Sequence, residues 1–149
     1  MTPVKSSKKS SAGSRAASPS EVVPGVFVGG WGDAEKFRGA RFCVLDERPT
    51  ELDELPGAVH VAIYDGDKEV PKVANLEKVA DLMHRAHGDG QPVLVFCGHG
   101  IRRGPLGGAW YLHRFEGMSL DEAYDRIESV RPKIERPKEW MGDASALDV

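Results

Sequence analysis

The sequence predicts an α/β fold, a single domain with a central, mostly parallel sheet of four or five strands flanked by helices. Three observations carry that expectation. After Pro24, short runs rich in β-branched and aromatic residues alternate with helix-length segments, the order that a parallel sheet requires. One run, Val93-Leu94-Val95-Phe96, is apolar without interruption, as a strand covered on both faces should be. At 149 residues the chain can close one ordinary hydrophobic core but not two.

Taken in order, residues 1–20 hold Lys5, Lys8, Lys9 and Arg15, no acid and little to bury. They are expected to form a disordered basic tail ahead of a domain over 21–149. Residues 26–28, leading into Gly29-Gly30, read as a first strand, and 33–38 as a short helix. The run 41–45 reads as a buried strand, and 58–63 as the next. Between Lys72 and His87, Val73, Leu76, Val79, Ala80 and Met83 share one helical face, which Gly88, Gly90 and Pro92 bring to an end. Strand 93–96 then feeds Cys97-Gly98-His99-Gly100-Ile101-Arg102-Arg103, followed by a helix carrying Leu106, Ala109, Trp110 and Leu112. Ser119 and Glu122 form a capping box that starts another helix, ending before Pro132. A last helix is expected over 137–147. Trp31, Trp110 and Trp140 read as packing residues.

Composition narrows the function classes. An apolar fraction of 40 % and a charged fraction of 29 % are ordinary for a soluble domain and select no activity. The net charge of −3 is uneven: the tail carries +4, which leaves −7 for the rest. That argues against a broad nucleic-acid-binding surface but not against a local anion pocket. No apolar run approaches the roughly 20 residues that span a bilayer, and the N-terminus lacks a signal-like stretch. The expectation is a cytoplasmic monomer with no membrane partner. Cys43 and Cys97 are far apart and have no companion Cys/His pair, so no metal is expected.

The chemistry concentrates at residues 97–103. A strand that ends in a glycine-containing loop and opens a helix gathers backbone N–H groups around one concavity at a positive helix end. Such a cradle binds a phosphate- or sulfate-type anion. Cys97, at the strand end, lies at its floor, where the same donors favour a thiolate nucleophile. Arg103, six positions on, brings a planar fork able to grip two phosphate oxygens. Gly98 and Gly100 let the backbone turn tightly and approach the anion, so Gly98, His99, Gly100, Ile101 and Arg102 form the expected binding loop. Cysteine is also a common core residue, but a core role explains neither the glycines nor the strand-to-helix turn.

The segment from Cys97 to Arg103 resembles the Cys-x-x-Gly-x-x-Arg signature loop of the dual-specificity and protein-tyrosine phosphatases. The likeness covers about residues 22–132. Pro24 to Gly30 looks like the opening strand of that family, Gly117 to Ala123 like the segment after the signature helix, and Arg131-Pro132 like the pair closing the following helix. The resemblance implies a phosphatase acting on phosphotyrosine or phosphoserine/threonine through a phosphocysteine intermediate, without a cofactor. It also implies an aspartate acid about thirty residues before the cysteine. Asp65, 32 positions ahead of Cys97, is preferred and Asp67 is the fallback. Both could equally be turn residues ending a strand.

Two positions depart from the family pattern. Phe96 stands where His usually precedes the cysteine, and Gly104 where Ser or Thr usually assists its departure in the second step. A rapid burst followed by slow turnover is the expected consequence. The departures keep open a phosphate-binding module with weak catalysis. His99-Gly100, with Arg102 beside it, resembles the loop of RNA 5′-triphosphatases in the same superfamily, and a phosphoinositide phosphatase is a further alternative. A rhodanese-like sulfurtransferase is a rival of another class. The segment Arg103-Gly104-Pro105 resembles low-molecular-weight tyrosine phosphatases, although there the loop is N-terminal. In some relatives a cysteine from the region of Cys43 forms a reversible disulfide that shields the nucleophile; burial in a strand explains Cys43 equally well.

Overall fold

The computed structural model of the chain describes residues 18–65 and 70–137. The predicted helix over 137–147, apart from Pro137, lies outside these residues, as do Trp140, Asp67 and the tail up to residue 17. The strands are β1 (Ser20–Val23), β2 (Val26–Gly29), β3 (Ala40–Cys43), β4 (Val59–His60), β5 (Tyr64–Asp65), β6 (Val70–Pro71) and β7 (Val93–Phe96). The helices are α1 (Trp31–Lys36), α2 (Val73–Gly88), α3 (Arg103–Phe115) and α4 (Leu120–Val130), with a 3₁₀ turn at Thr50–Glu54.

Five strands form the main sheet in the order β1-β2-β7-β3-β4. Every pairing is parallel except β1 with β2. The uninterrupted apolar run is thus the middle strand, and all four of its residues are buried. Its side chains alternate between two cores. Val93 and Val95 face the larger one, beneath α2, α3 and α4; Leu94 and Phe96 face a smaller one with Ala34, Cys43, Leu52 and Leu55. α3 is the innermost helix, its residues 104–112 all buried. It approaches closely because Gly107 and Gly108 face the sheet: a Cβ at Gly108 would stand 2.6 Å from Val28 Cγ2.

The structure departs from the sequence reading at several elements, among them the unexpected β5–β6 hairpin and β3, which ends at Cys43 and not at Leu45. Ser18 and Ser20 belong to the fold, not the tail, and Ser20 opens β1. Pro24-Gly25 makes the hairpin turn, with Gly25 at φ +84° and its N–H donating to Glu21 Oε2 at 2.9 Å. α1 starts two residues early because Asp33 Oδ2 accepts from Gly30 N–H at 2.8 Å, which caps the helix there. The strand expected over 58–63 is only β4, at the sheet edge. Past Val61 its carbonyls are taken by the chain entering α2: Asn75 Nδ2 donates to Ala62 O at 2.6 Å and Lys72 N–H to Ile63 O at 2.8 Å. The capping box of α4 forms as expected, with Glu122 N–H on Ser119 Oγ at 3.1 Å and Ser119 N–H on Glu122 Oε1 at 2.9 Å.

Candidate active site

β7 delivers Cys97 to the C-terminal edge of the sheet, and α3 begins at Arg103. The residues between them cannot continue either element because their carbonyls are claimed from outside. Gly98 O accepts from Trp31 N–H at 2.9 Å and Ile101 O from Glu135 N–H at 2.7 Å. His99 O and Gly100 O accept from the Arg131 guanidinium, at 3.2 Å from Nη2 and 2.7 Å from Nε. In a planar trans peptide the carbonyl and the following N–H point opposite ways. Four carbonyls held by neighbouring segments therefore turn the amides of residues 99–102 to the inner side of the loop. The Gly100 N–H donates to Cys97 Sγ at 3.2 Å, which puts the sulfur inside this ring of donors. Gly100 takes φ +69°, a left-handed conformation that glycine adopts without strain.

Cys97 is 5 % exposed. Gly104 lies against it: a Cβ there would stand 3.5 Å from Cys97 Sγ and 3.2 Å from Gly29 O. Arg103 is fixed on two sides. Its Nε and Nη2 donate to Asp46 Oδ1 and Oδ2 at 2.7 and 2.8 Å, and its guanidinium carbon lies 5.2 Å from the Tyr64 ring centre. The bonds to Asp46 push the Arg103 pKa further above its ordinary value. Arg102 stacks on the same ring at 5.0 Å, and the His99 side chain is exposed. Asp46 thus occupies the side-on fork of Arg103. The end-on donors, Nη1 and the second Nη2 hydrogen, are not engaged by Asp46.

The loop residues expected from the sequence, Cys97 through Arg103, come together in one bowl. Asp65 is the last residue of β5, in register with Val70 of β6. Phe96 explains one departure from the family pattern: it is fully buried and packs edge-on against Trp31, ring centres 5.6 Å apart. An imidazole there would sit in an apolar cluster. Cys43 and Cys97 are both free thiols, and burial pushes the Cys43 thiol up. Among the described residues no cluster of His, Cys, Asp and Glu could hold a metal, and no helix is long and apolar enough to cross a membrane.

Sequence reasoning missed Asp46, Tyr64 and the contacts of Arg131. Asp46 had a signal, since it follows the buried run 41–45 that neighbours the loop strand. Arg131 was marked only through the Arg131-Pro132 resemblance, and nothing local tells where a guanidinium at a helix end will reach.

A thiol thus lies at the floor of a strand–loop–helix bowl on an α/β domain, with a guanidinium at the rim. Residues 51–144 match the family model for the dual specificity phosphatase catalytic domain. Dual specificity phosphatase 28 of Mus musculus is 31 % identical over 131 residues, covering 82 % of this chain and 80 % of the relative. Its Homo sapiens counterpart is 31 % identical over 127 residues, covering 80 % and 72 %. The crystal structure of human DUSP28 aligns with a TM-score of 0.73 at 24 % identity, covering 87 % of this chain and 92 % of that one. A mouse putative dual specificity phosphatase complexed with zinc tungstate gives 0.73 at 25 % identity, covering 89 % and 87 %. The chain belongs to the dual-specificity phosphatase family and is a cysteine-dependent protein phosphatase.

Proposed function

We propose that Cys97 is the nucleophile, Arg103 and the loop amides the phosphate ligands, and Asp65 the general acid, in the hydrolysis of phosphoprotein monoesters. Cys97 Sγ attacks phosphorus, and the bond to the leaving oxygen breaks as Asp65 gives that oxygen a proton. Water then attacks phosphorus with Asp65 as base, the P–S bond breaks, and inorganic phosphate and the thiolate are released. The inward amides of residues 99–102 and the end-on donors of Arg103 stabilise the equatorial oxygens through both steps.

The observation that carries this reading is the Gly100 N–H on Cys97 Sγ within a loop whose carbonyls are held from behind. A sulfur placed there meets the phosphorus of any anion the amides accept. Gly104 offers no hydroxyl to help the sulfur leave, so the second step is the slow one.

Rapid-mixing assays with p-nitrophenyl phosphate test the mechanism. A burst of nitrophenol stoichiometric with enzyme, then slow turnover, is expected; Gly104→Ser should raise the steady rate and shrink the burst. Cys97→Ser should abolish activity. A fully active Cys97→Ser enzyme would end the proposal, and a linear time course without a burst would refute slow breakdown of the phosphoenzyme.

A further inference from the structure

We infer that Arg131 is a positioning residue for the phosphate-binding loop, acting through the two peptide groups it holds. The inference rests on the proposed reading of that loop as the phosphate cradle. Arg131 follows the last turn of α4 and is 31 positions from Gly100, yet the residue is only 9 % exposed. A guanidinium is seldom so buried unless its donors are engaged.

Among the described residues, four of its hydrogen bonds fall in two groups. On the loop side, Nε donates to Gly100 O at 2.7 Å and Nη2 to His99 O at 3.2 Å. On the far side, Nη1 donates to Ser18 O at 3.0 Å and Ser20 Oγ at 3.1 Å. The N-terminal segment thus anchors the end of the guanidinium that does not touch the loop. Backbone amides hold the outer carbonyls, of Gly98 and Ile101, and could not be replaced by mutation. Among the described residues, a single side chain holds the two central ones.

Those two carbonyls set the site's polarity. The peptide that presents His99 O to Arg131 also presents the Gly100 N–H to Cys97 Sγ. The peptide that presents Gly100 O presents the Ile101 N–H to the same side. A peptide flip at either place would aim a carbonyl at the sulfur and at the incoming phosphate, replacing an attractive dipole with a repulsive one. The left-handed φ of Gly100 makes such a flip cheap, because glycine has no Cβ to oppose it. Charge adds to the effect: bonds from a cationic donor polarise each peptide, which strengthens the N–H at its other end.

The test uses the full chain with Arg131→Lys and Arg131→Met, measured beside Cys97→Ser. Lysine keeps the charge but can reach only one of the two carbonyls with good geometry. Three readouts are compared: kcat and KM for p-nitrophenyl phosphate, inhibition by inorganic phosphate, and the rate of Cys97 alkylation by iodoacetamide as a function of pH. Arg131→Met is expected to lose about 100-fold in kcat/KM, the scale of an ångström-level misplacement. It should also bind phosphate more weakly and shift its alkylation profile to higher pH; Arg131→Lys should fall between it and the wild type. Added guanidinium ion should restore part of the Met variant's activity. A merely structural arginine would lower melting temperature without moving the alkylation profile of the folded fraction.

The inference is overturned if Arg131→Lys, and Arg131→Met where it folds, keep wild-type phosphate affinity and alkylation profile within twofold. If Arg131→Met fails to fold, the lysine variant alone decides. An active Cys97→Ser enzyme would instead sink the nucleophile assignment, whatever Arg131 does.

Discussion

Asp46 and Arg103 stand 57 positions apart, and their bidentate contact changes how the site must be read. The arginine of a Cys-x5-Arg loop is expected to offer its best fork to the substrate, but here a carboxylate already holds that edge. The pair is about a quarter exposed on each side, so water screens it in part and its worth lies more in orientation than in stability. Asp46 keeps the guanidinium pointed, at the cost of a negative charge beside the proposed anion site. The two effects separate in kinetics. Asp46→Asn retains one acceptor and removes the charge, and a unit charge a few ångströms away is worth about 1 kcal/mol even where water screens it. KM for p-nitrophenyl phosphate should therefore fall about fivefold, while kcat drops because the fork is less firmly held. Steady-state kinetics checks this; a raised KM would show that the charge does not act on the substrate.

At the scale of elements, α3 carries the site because it can lie almost on the sheet. Gly107 and Gly108 make that approach possible: Cβ atoms there would come within 2.8 Å of Val95 Cγ2 and 2.6 Å of Val28 Cγ2. A valine methyl on a central strand has no free space to retreat into, so overpacking costs about 1–3 kcal/mol. Alanine returns about 1 kcal/mol of helix propensity over glycine, and the overpacking wins. Gly108→Ala is expected to lose up to about 2 kcal/mol in denaturant unfolding and to lower activity with it, since pushing α3 outward moves Arg103. A variant more stable than the wild type would show that α3 has slack against β2. Elements with a strong local pattern, α2, α3, α4 and β7, were legible within a residue or two. β1 was not: Ser20-Glu21-Val22-Val23 has no periodicity of its own, and only pairing with β2 across Pro24-Gly25 makes it a strand. β4 was overread because the apolar run 58–63 continues after its pairing ends.

For the whole molecule, the telling group is Asp33, 3 % exposed beneath the loop. Its Oδ2 accepts from Gly30 N–H, but Oδ1 has no hydrogen-bond partner among the described residues. Burial pushes its carboxyl above the usual 3.8, against the opposing pull of the Gly30 N–H and of the Arg131 charge. A raised folded-state value means that the fold takes up the proton more readily than the unfolded chain does. Asp33 therefore favours folding at low pH, and that contribution is lost as pH rises through its folded value. Asp33→Asn keeps the acceptor for Gly30 and cannot ionise. It is expected to melt higher than the wild type at pH 7, with the advantage shrinking as pH is lowered toward 4. A melting-temperature gap constant across that range would refute the buried charge. The sequence by itself determined the α/β class, the middle strand, the loop from Cys97 to Arg103 and the helices around it, because each is written in neighbouring residues whose spacing sets local geometry. Tertiary structure alone decided that Asp46 holds Arg103, that Arg131 turns the loop carbonyls outward, and that Gly107 and Gly108 seat α3. Those contacts join positions far apart in the chain, and only the order of strands in the sheet brings them within hydrogen-bonding or packing distance.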